Sequence, residues 1–274
     1  MKRNVLFGII LCGSSVTTFA QLSDIQKPVT ITPYISIQNF DWIGRSTIGK
    51  AGVQLQFKPI KKLNLAIDGS VFNSLGSSII LNNDISASSS FDNNGKYGTA
   101  YGPSGTGSSV LPKTIYQGAF INIDAGIPIK LGDSSRTIIE PFVSIEGKIW
   151  NRSADYGTEA NPSIYEEKYK FLSPALGAKL SYNTKSKIKL SLRISASYPA
   201  ISKLKTDSKN FTHPNTEIDL TKWLSPSVEL GVRVKKITLK LRYERINIGI
   251  SDSIKGCSPA SHADVTGISI GYDF

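Results

Sequence analysis

Cysteine is almost absent from this chain: Cys12 and Cys257 are the only two in 274 residues. Cys12 falls in an N-terminal segment that reads as removable, so Cys257 has no intrachain partner and no disulfide framework can staple a small secreted fold. Only Lys255 stands near Cys257 to lower its pKa, and the residue reads as an incidental loop thiol. Histidine is equally scarce, with His213 and His262 alone, which leaves little material for metal ligation or imidazole-based catalysis. No apolar run of about 18 residues occurs after the N-terminus, and spanning helices are thereby excluded. The composition, 40% hydrophobic and 19% charged, is otherwise that of an ordinary globular protein.

The first twenty residues follow a different logic. Lys2 and Arg3 form a basic start, residues 5–16 are largely apolar, and Thr18-Phe19-Ala20 precedes Gln21. This order of basic, apolar and small-residue zones predicts a cleaved secretory signal peptide over 1–20 and a mature domain over 21–274. A lipid anchor on Cys12 fits less well, because Leu11 stands where a small residue is needed. Removing Lys2 and Arg3 lowers the formal charge from +11 to +9. Export takes nucleic acid away as a partner for this excess, leaving phosphate-bearing glycolipid or a small anionic solute.

Residues 187–198, KIKLSLRISASY, place Ile188, Leu190, Leu192, Ile194, Ala196 and Tyr198 at even positions with polar residues between them. Period two puts the apolar groups on one face of a strand, where a helix would scatter them. The same pattern recurs over 49–58 and 63–71, and further candidates are 29–42, 114–127, 137–150, 169–182, 223–234, 237–250 and 265–274. That makes about ten strands. Their connections alternate: short turns at 59–62, 131–135, 183–186 and 235–236, against a brief turn after Trp42 and long segments at 73–113, 151–168, 200–222 and 251–264. Alternation of this kind predicts an all-β, up-and-down antiparallel transmembrane barrel with short periplasmic turns and long extracellular loops.

Alternation alone does not say which face is inside, and a soluble barrel also alternates. Aromatic placement bears on the choice, since membrane barrels carry girdles at both interfaces. Trp42, Phe72, Trp150, Tyr198 and Trp223 fall near strand ends on the long-loop side, and Phe57, Tyr182 and Phe274 on the short-turn side. All are expected in the girdles. Two local features fit poorly. Pro33, Pro141, Pro174 and Pro226 interrupt strands in a barrel that has no harmless edge, and the alternation slips between Ile37 and Phe40 and between Tyr243 and Ile246, which predicts bulges there.

The last strand, TGISIGYDF, has Gly267 followed by Ile270, Tyr272 and terminal Phe274 at a spacing of two. It resembles the terminal signal of bacterial outer-membrane β-barrel proteins. The resemblance implies recognition by the barrel-insertion machinery and residence among outer-membrane lipids, and it is silent about activity.

If the apolar face meets lipid, parity assigns the charged residues to the lumen: Lys50, Lys58, Arg136, Lys148, Lys179, Lys189, Arg193, Arg233, Lys240 and Arg242, with Asp68, Asp124, Glu140, Glu146, Glu229, Glu244 and Asp273. Two outcomes follow. Complete pairing fills a narrow barrel and makes it structural; incomplete pairing leaves a narrow path that prefers anions. At about ten strands the filled interior is favoured.

Ten-stranded barrels of this size also resemble the omptin proteases, whose rim carries an Asp-x-Asp and an Asp-x-His pair that activate water. Here Phe211 stands two residues before His213, and no Asp-x-Asp surrounds Asp84 or Asp92. The likeness stops at architecture, and no enzyme activity, metal or cofactor is expected. His262 and Asp264 are spaced His-x-Asp, the reverse order, and His262 reads as a solvated loop histidine, with a rim pair as the alternative. Serines lack a nucleophile elbow, and the glycine-rich stretch 97–107 lacks the lysine and helix of a phosphate loop. The alternative use of the long loops is adhesion, with Tyr97 and Tyr101 as anchors to a surface ligand.

Overall fold

A computed structural model of the chain describes residues 29–42, 44–60, 62–75, 113–132, 136–155, 164–186, 188–208, 216–248 and 261–274. These residues form thirteen strands: β1 (Thr30–Trp42), β2 (Gly44–Ile60), β3 (Leu63–Ser74), β4 (Lys113–Gly126), β5 (Ile129–Leu131), β6 (Thr137–Asp155), β7 (Ile164–Asn183), β8 (Ile188–Ser197), β9 (Ile201–Ser208), β10 (Thr216–Asp219), β11 (Ser225–Val234), β12 (Ile237–Ile248) and β13 (Ser261–Tyr272). The signal segment, the loop tyrosines, Asp84, Asp92, His213 and Cys257 lie outside the described residues.

Ten of the strands close into an antiparallel up-and-down barrel. The ring runs β1-β2-β3-β4-β6-β7-β8-β11-β12-β13 and returns to β1 through Tyr34↔Gly271 to Asp41↔Asp264. The other three strands extend this ring. The short β5 continues β4 along β6, and β9 continues β8 along the outer half of β7. The hairpin of β9 and β10 falls inside 200–222, which the sequence pattern assigned to a loop. Its residues do alternate, but lysines on one face hide the period in apolar residues alone.

The short connections β2–β3, β5–β6, β7–β8 and β11–β12 lie at one end of the barrel with residues 29 and 274, as an even strand number requires, while the brief β1–β2 connection after Trp42 lies at the other. In the tightest of them Lys235 has φ 55°. A two-residue hairpin needs such a left-handed residue to match the strand twist.

The outward side chains are apolar. Ile35, Ile37, Val71, Ile121, Val143, Ile145, Leu176, Ile194, Leu230, Leu241, Ile268 and Ile270 are all exposed, and they come from strands around the whole ring. The buried side chains include Asp124, Glu140, Glu146, Lys148, Arg152, Glu167, Glu244 and Asp273. This is the inverse of a water-soluble barrel, and its physical meaning is that the solvent around the belt is hydrocarbon. Closure then satisfies the backbone, because lipid offers no hydrogen-bonding partner to a free sheet edge.

Pro141 and Pro174 are accommodated by breaks in the neighbouring strand. Pro141 O accepts from Ile127 N at 3.0 Å, so its missing donor faces the gap between β4 and β5. Pro174 O accepts from Tyr198 N at 3.0 Å, facing the gap between β8 and β9 in the same way. A residue in an antiparallel ladder points its N–H and C=O to the same side, so each break sits where the donor is lacking.

The bulges expected at 37–40 and 243–246 are not there. Both registers run on without a shift, through Ile37↔Ile268 to Phe40↔Val265 and through Tyr243↔Thr266 to Ile246↔Ala263. The strands stay regular while the chemistry of the interior changes. The register shift in β2 and β3 lies instead between Phe57 and Ile60, beside the turn.

Candidate functional site

The lumen is the only place in the described structure where charged side chains converge from opposite walls, and it has three levels. At the middle, Lys148 of β6 bonds Glu244 of β12 across the barrel and lies 3.0 Å from Glu146. Arg242 reaches Glu244 at 3.0 Å, Lys240 reaches Glu229 at 3.1 Å, and Arg193 of β8 reaches Asp124 of β4 at 3.1 Å. Asp68 accepts from Tyr34 Oη at 2.8 Å, and Asn122 donates to Asp124 at 2.7 Å.

Aromatic rings line the same level. Phe120 has Lys50, Arg242 and Lys148 at 4.7, 5.4 and 5.7 Å from its centroid, and Phe142 has Arg193 at 4.4 Å. Cations packed on ring faces keep part of the electrostatic stabilisation that water would have supplied. Gly177 makes the Phe142 packing possible, since a Cβ there would lie 2.4 Å from the ring. Two cavities of about 30 and 20 Å³ lie at this level, room for about two waters in the larger and one in the smaller.

The outer level is apolar. Phe40, Ile48, Tyr116, Trp150, Tyr169, Phe171, Leu204, Leu220, Ile246, Ile248, Ala263 and Val265 form one buried cluster, with Trp42 and Phe72 packed against it. Trp150 stacks on Phe171 at 4.9 Å and on Tyr169 at 5.3 Å, while Trp42 meets Tyr169 edge-on at 5.2 Å. A charged clamp adjoins the cluster: Arg152 Nη1 is 2.7 Å from Glu167 Oε2, and Tyr169 Oη donates to the same oxygen at 2.9 Å.

Trp42, Phe72 and Trp150 are therefore not girdle residues. They point inward, and Trp150 is 4% exposed. Tyr198 and Trp223 face outward at the outer end, as Tyr182 and Phe274 do at the other. The signal for the inward set was present in the parity: Trp150 stands between Lys148 and Arg152 at spacing two, and Phe40 continues Thr32, Tyr34, Ser36 and Gln38. Residues that share a face with lumen charges are inside whatever their own hydropathy.

At the short-turn level Glu140 meets Lys179 at 3.4 Å and accepts from Asn64. Asp273 meets Arg233 at 2.6 Å and accepts from Thr32 and Thr238. Lys189 here, like Lys50 at the middle level, forms no ion pair among the described residues, and Arg136 stands at the head of β6. Of the residues in the terminal motif, Ile270, Tyr272 and Phe274 face outward from β13. Gly267 lies against Gln38, where a Cβ would come within 2.6 Å of its side chain.

His262 is on the outer wall, exposed, with Nε2 3.4 Å from Asp264 Oδ2. Asp264 is already engaged by Arg245 at 2.9 and 3.1 Å and by Tyr243 Oη at 2.8 Å. These hydrogen bonds, that of Arg245 above all, hold its carboxyl below the ordinary range. The pair faces away from the lumen, beyond the apolar belt, and forms part of a polar rim. Among the described residues no group of three or more His, Cys, Asp or Glu side chains is placed to hold a metal ion.

A closed barrel with an apolar belt and a charged interior defines the class: a transmembrane β-barrel. No family model matches the chain, and no curated protein matches it in sequence. Among solved structures it is similar to the outer membrane protease OmpT from Escherichia coli, at 10% identity and a TM-score of 0.44 over 90% of this chain and 96% of that one. A major outer membrane protein from Thermus thermophilus aligns at 10% identity and 0.42, over 90% and 99%. The attachment invasion locus protein Ail of Yersinia pestis aligns at 7% and 0.32, over 90% and 98%.

Proposed function

We propose that this chain is a structural outer-membrane barrel with a closed lumen, delivered by a cleaved signal peptide and inserted through the terminal strand bearing Gly267, Ile270, Tyr272 and Phe274. The observation that carries this reading is the double obstruction of the lumen. The ion-pair lattice around Glu244 fills the middle, and the aromatic cluster around Trp150 fills the outer end. A solute would have to break buried ion pairs and then displace stacked rings, each of which costs several kcal/mol.

The barrel then serves as a rigid anchor among lipids and glycolipid, holding the long outer connections at fixed positions above the membrane. No step of catalysis and no cofactor enters this role. Single-channel recording of the refolded protein in planar bilayers tests it. The expected record is flat. Regular conductance steps from the wild-type protein would overturn the closed-lumen reading and restore a narrow porin.

A further inference from the structure

The short-turn mouth of the lumen carries cations that the lattice above it leaves unneutralised. Lys189 on β8 stands directly opposite Arg233 on β11 in the strand register. Like charges in that position repel and destabilise a sheet unless something lies between them. Besides Arg233, the charged groups that bear most on the Lys189 ammonium are Lys179, Glu140 and Lys58. Lys58 stands on β2, on the far side of the ring.

The two lumen carboxylates described at this level are already engaged, Glu140 by Lys179 and Asn64, Asp273 by Arg233, Thr32 and Thr238. Neither Lys189 nor Lys58 has an ion pair among the described residues. The described turn residues around the mouth include Lys62, Lys185, Lys235 and Lys236. The middle level differs: its five cations, Lys50, Lys148, Arg193, Lys240 and Arg242, are matched by Asp68, Asp124, Glu146, Glu229 and Glu244.

We infer that this mouth is an anion-binding vestibule, built by Lys189, Arg233, Lys179 and Lys58, that takes a phosphate group from the periplasmic side. A multivalent oxyanion suits it better than a halide, because its several acceptor oxygens can meet ammonium donors from two walls and one edge of the guanidinium together. The partly enclosed mouth strengthens each attraction relative to open water. With the lattice blocking the way onward, the vestibule binds and does not conduct. The binding itself is independent of the structural role proposed above, and only the side from which the ligand comes rests on that reading.

Isothermal titration of the folded protein with inorganic pyrophosphate, in zwitterionic detergent at low salt, tests the site. Saturable binding is expected, weakened at least tenfold by Lys189→Gln and by Lys58→Gln, with heat-modifiable migration on gels showing that each variant is folded. A Lys235→Gln/Lys236→Gln double variant, altered only in the turn, should bind as the wild type does. Repeating the titration in bicelles that contain phosphatidylglycerol separates the two sources of phosphate. Undiminished binding assigns the vestibule to a soluble anion, and competition assigns it to a lipid headgroup. No saturable binding, unchanged binding in the folded Lys189→Gln protein, or loss of binding in the turn variant alone would each overturn the proposal.

Discussion

Removing Glu244 is the sharpest perturbation of the lattice, because this one carboxylate serves two cations from two strands. Its oxygens meet Lys148 and, at 3.0 Å, Arg242, and the side chains of Glu244 and Lys148 are only 8% and 10% exposed. In Glu244→Leu, three cations packed around Phe120 (Lys50, Lys148 and Arg242) keep Glu146 as the nearest ion-paired carboxylate. Breaking a buried pair from one side costs about 3 to 5 kcal/mol, since the abandoned charge stays desolvated.

Two waters' worth of nearby cavity relieves part of that penalty, so a loss of about 3 kcal/mol is expected. Urea unfolding in detergent, followed by tryptophan fluorescence and by heat-modifiable migration, measures it. The decisive comparison is the Glu244→Leu/Lys148→Met double variant, which discards both charges and should regain more than half of the single variant's loss. A Glu244→Leu protein within about 0.5 kcal/mol of wild type, the range of a neutral surface substitution, would refute the claim that this lattice is buried and closed.

Other outcomes follow from the same structure. Trp150→Ala should cost about 3 to 5 kcal/mol by opening a cavity between Tyr169 and Phe171, measured by the same unfolding assay. Gly118→Val should also destabilise, by at least about 1 to 3 kcal/mol, because a Cβ there would lie 2.3 Å from the Ile149 carbonyl oxygen and 2.7 Å from Trp150 Cβ. Asp264 has a depressed carboxyl pKa, so its contribution is fully present above the unfolded value of about 3.9 and is lost as pH falls through the lower folded value. The difference in stability between wild type and Asp264→Asn should therefore be constant near neutrality and shrink in acid, which unfolding titrations at pH 5 and pH 2 will show.

Much of this architecture was legible in residue order. Period two over β8, the alternation of short and long connections, and the polar parity of Lys189, Arg193, Lys240 and Arg242 are local properties, and a strand displays them without knowing its neighbours. Strand ends were less legible where lysines face outward. Lys168 and Lys170 on β7, with Lys203 and Lys205 on β9, replace the apolar partner that the pattern requires.

What the chain by itself determined is that it makes strands, about how many, and which side chains share a face. Which face turns inward, and where the inside changes from charged to aromatic, depended on tertiary structure. Hydropathy labels a side chain by its own solvation, whereas Phe40, Trp150 and Ile246 are interior because they continue a lumen-facing parity set turns away on the same strand. Closure brought Phe40 of β1, Tyr116 of β4 and Trp150 of β6 into one cluster and joined Lys148 to Glu244 across 96 residues. No window along the sequence contains those partners, and only the ring that ends where β13 meets β1 puts them at the same height.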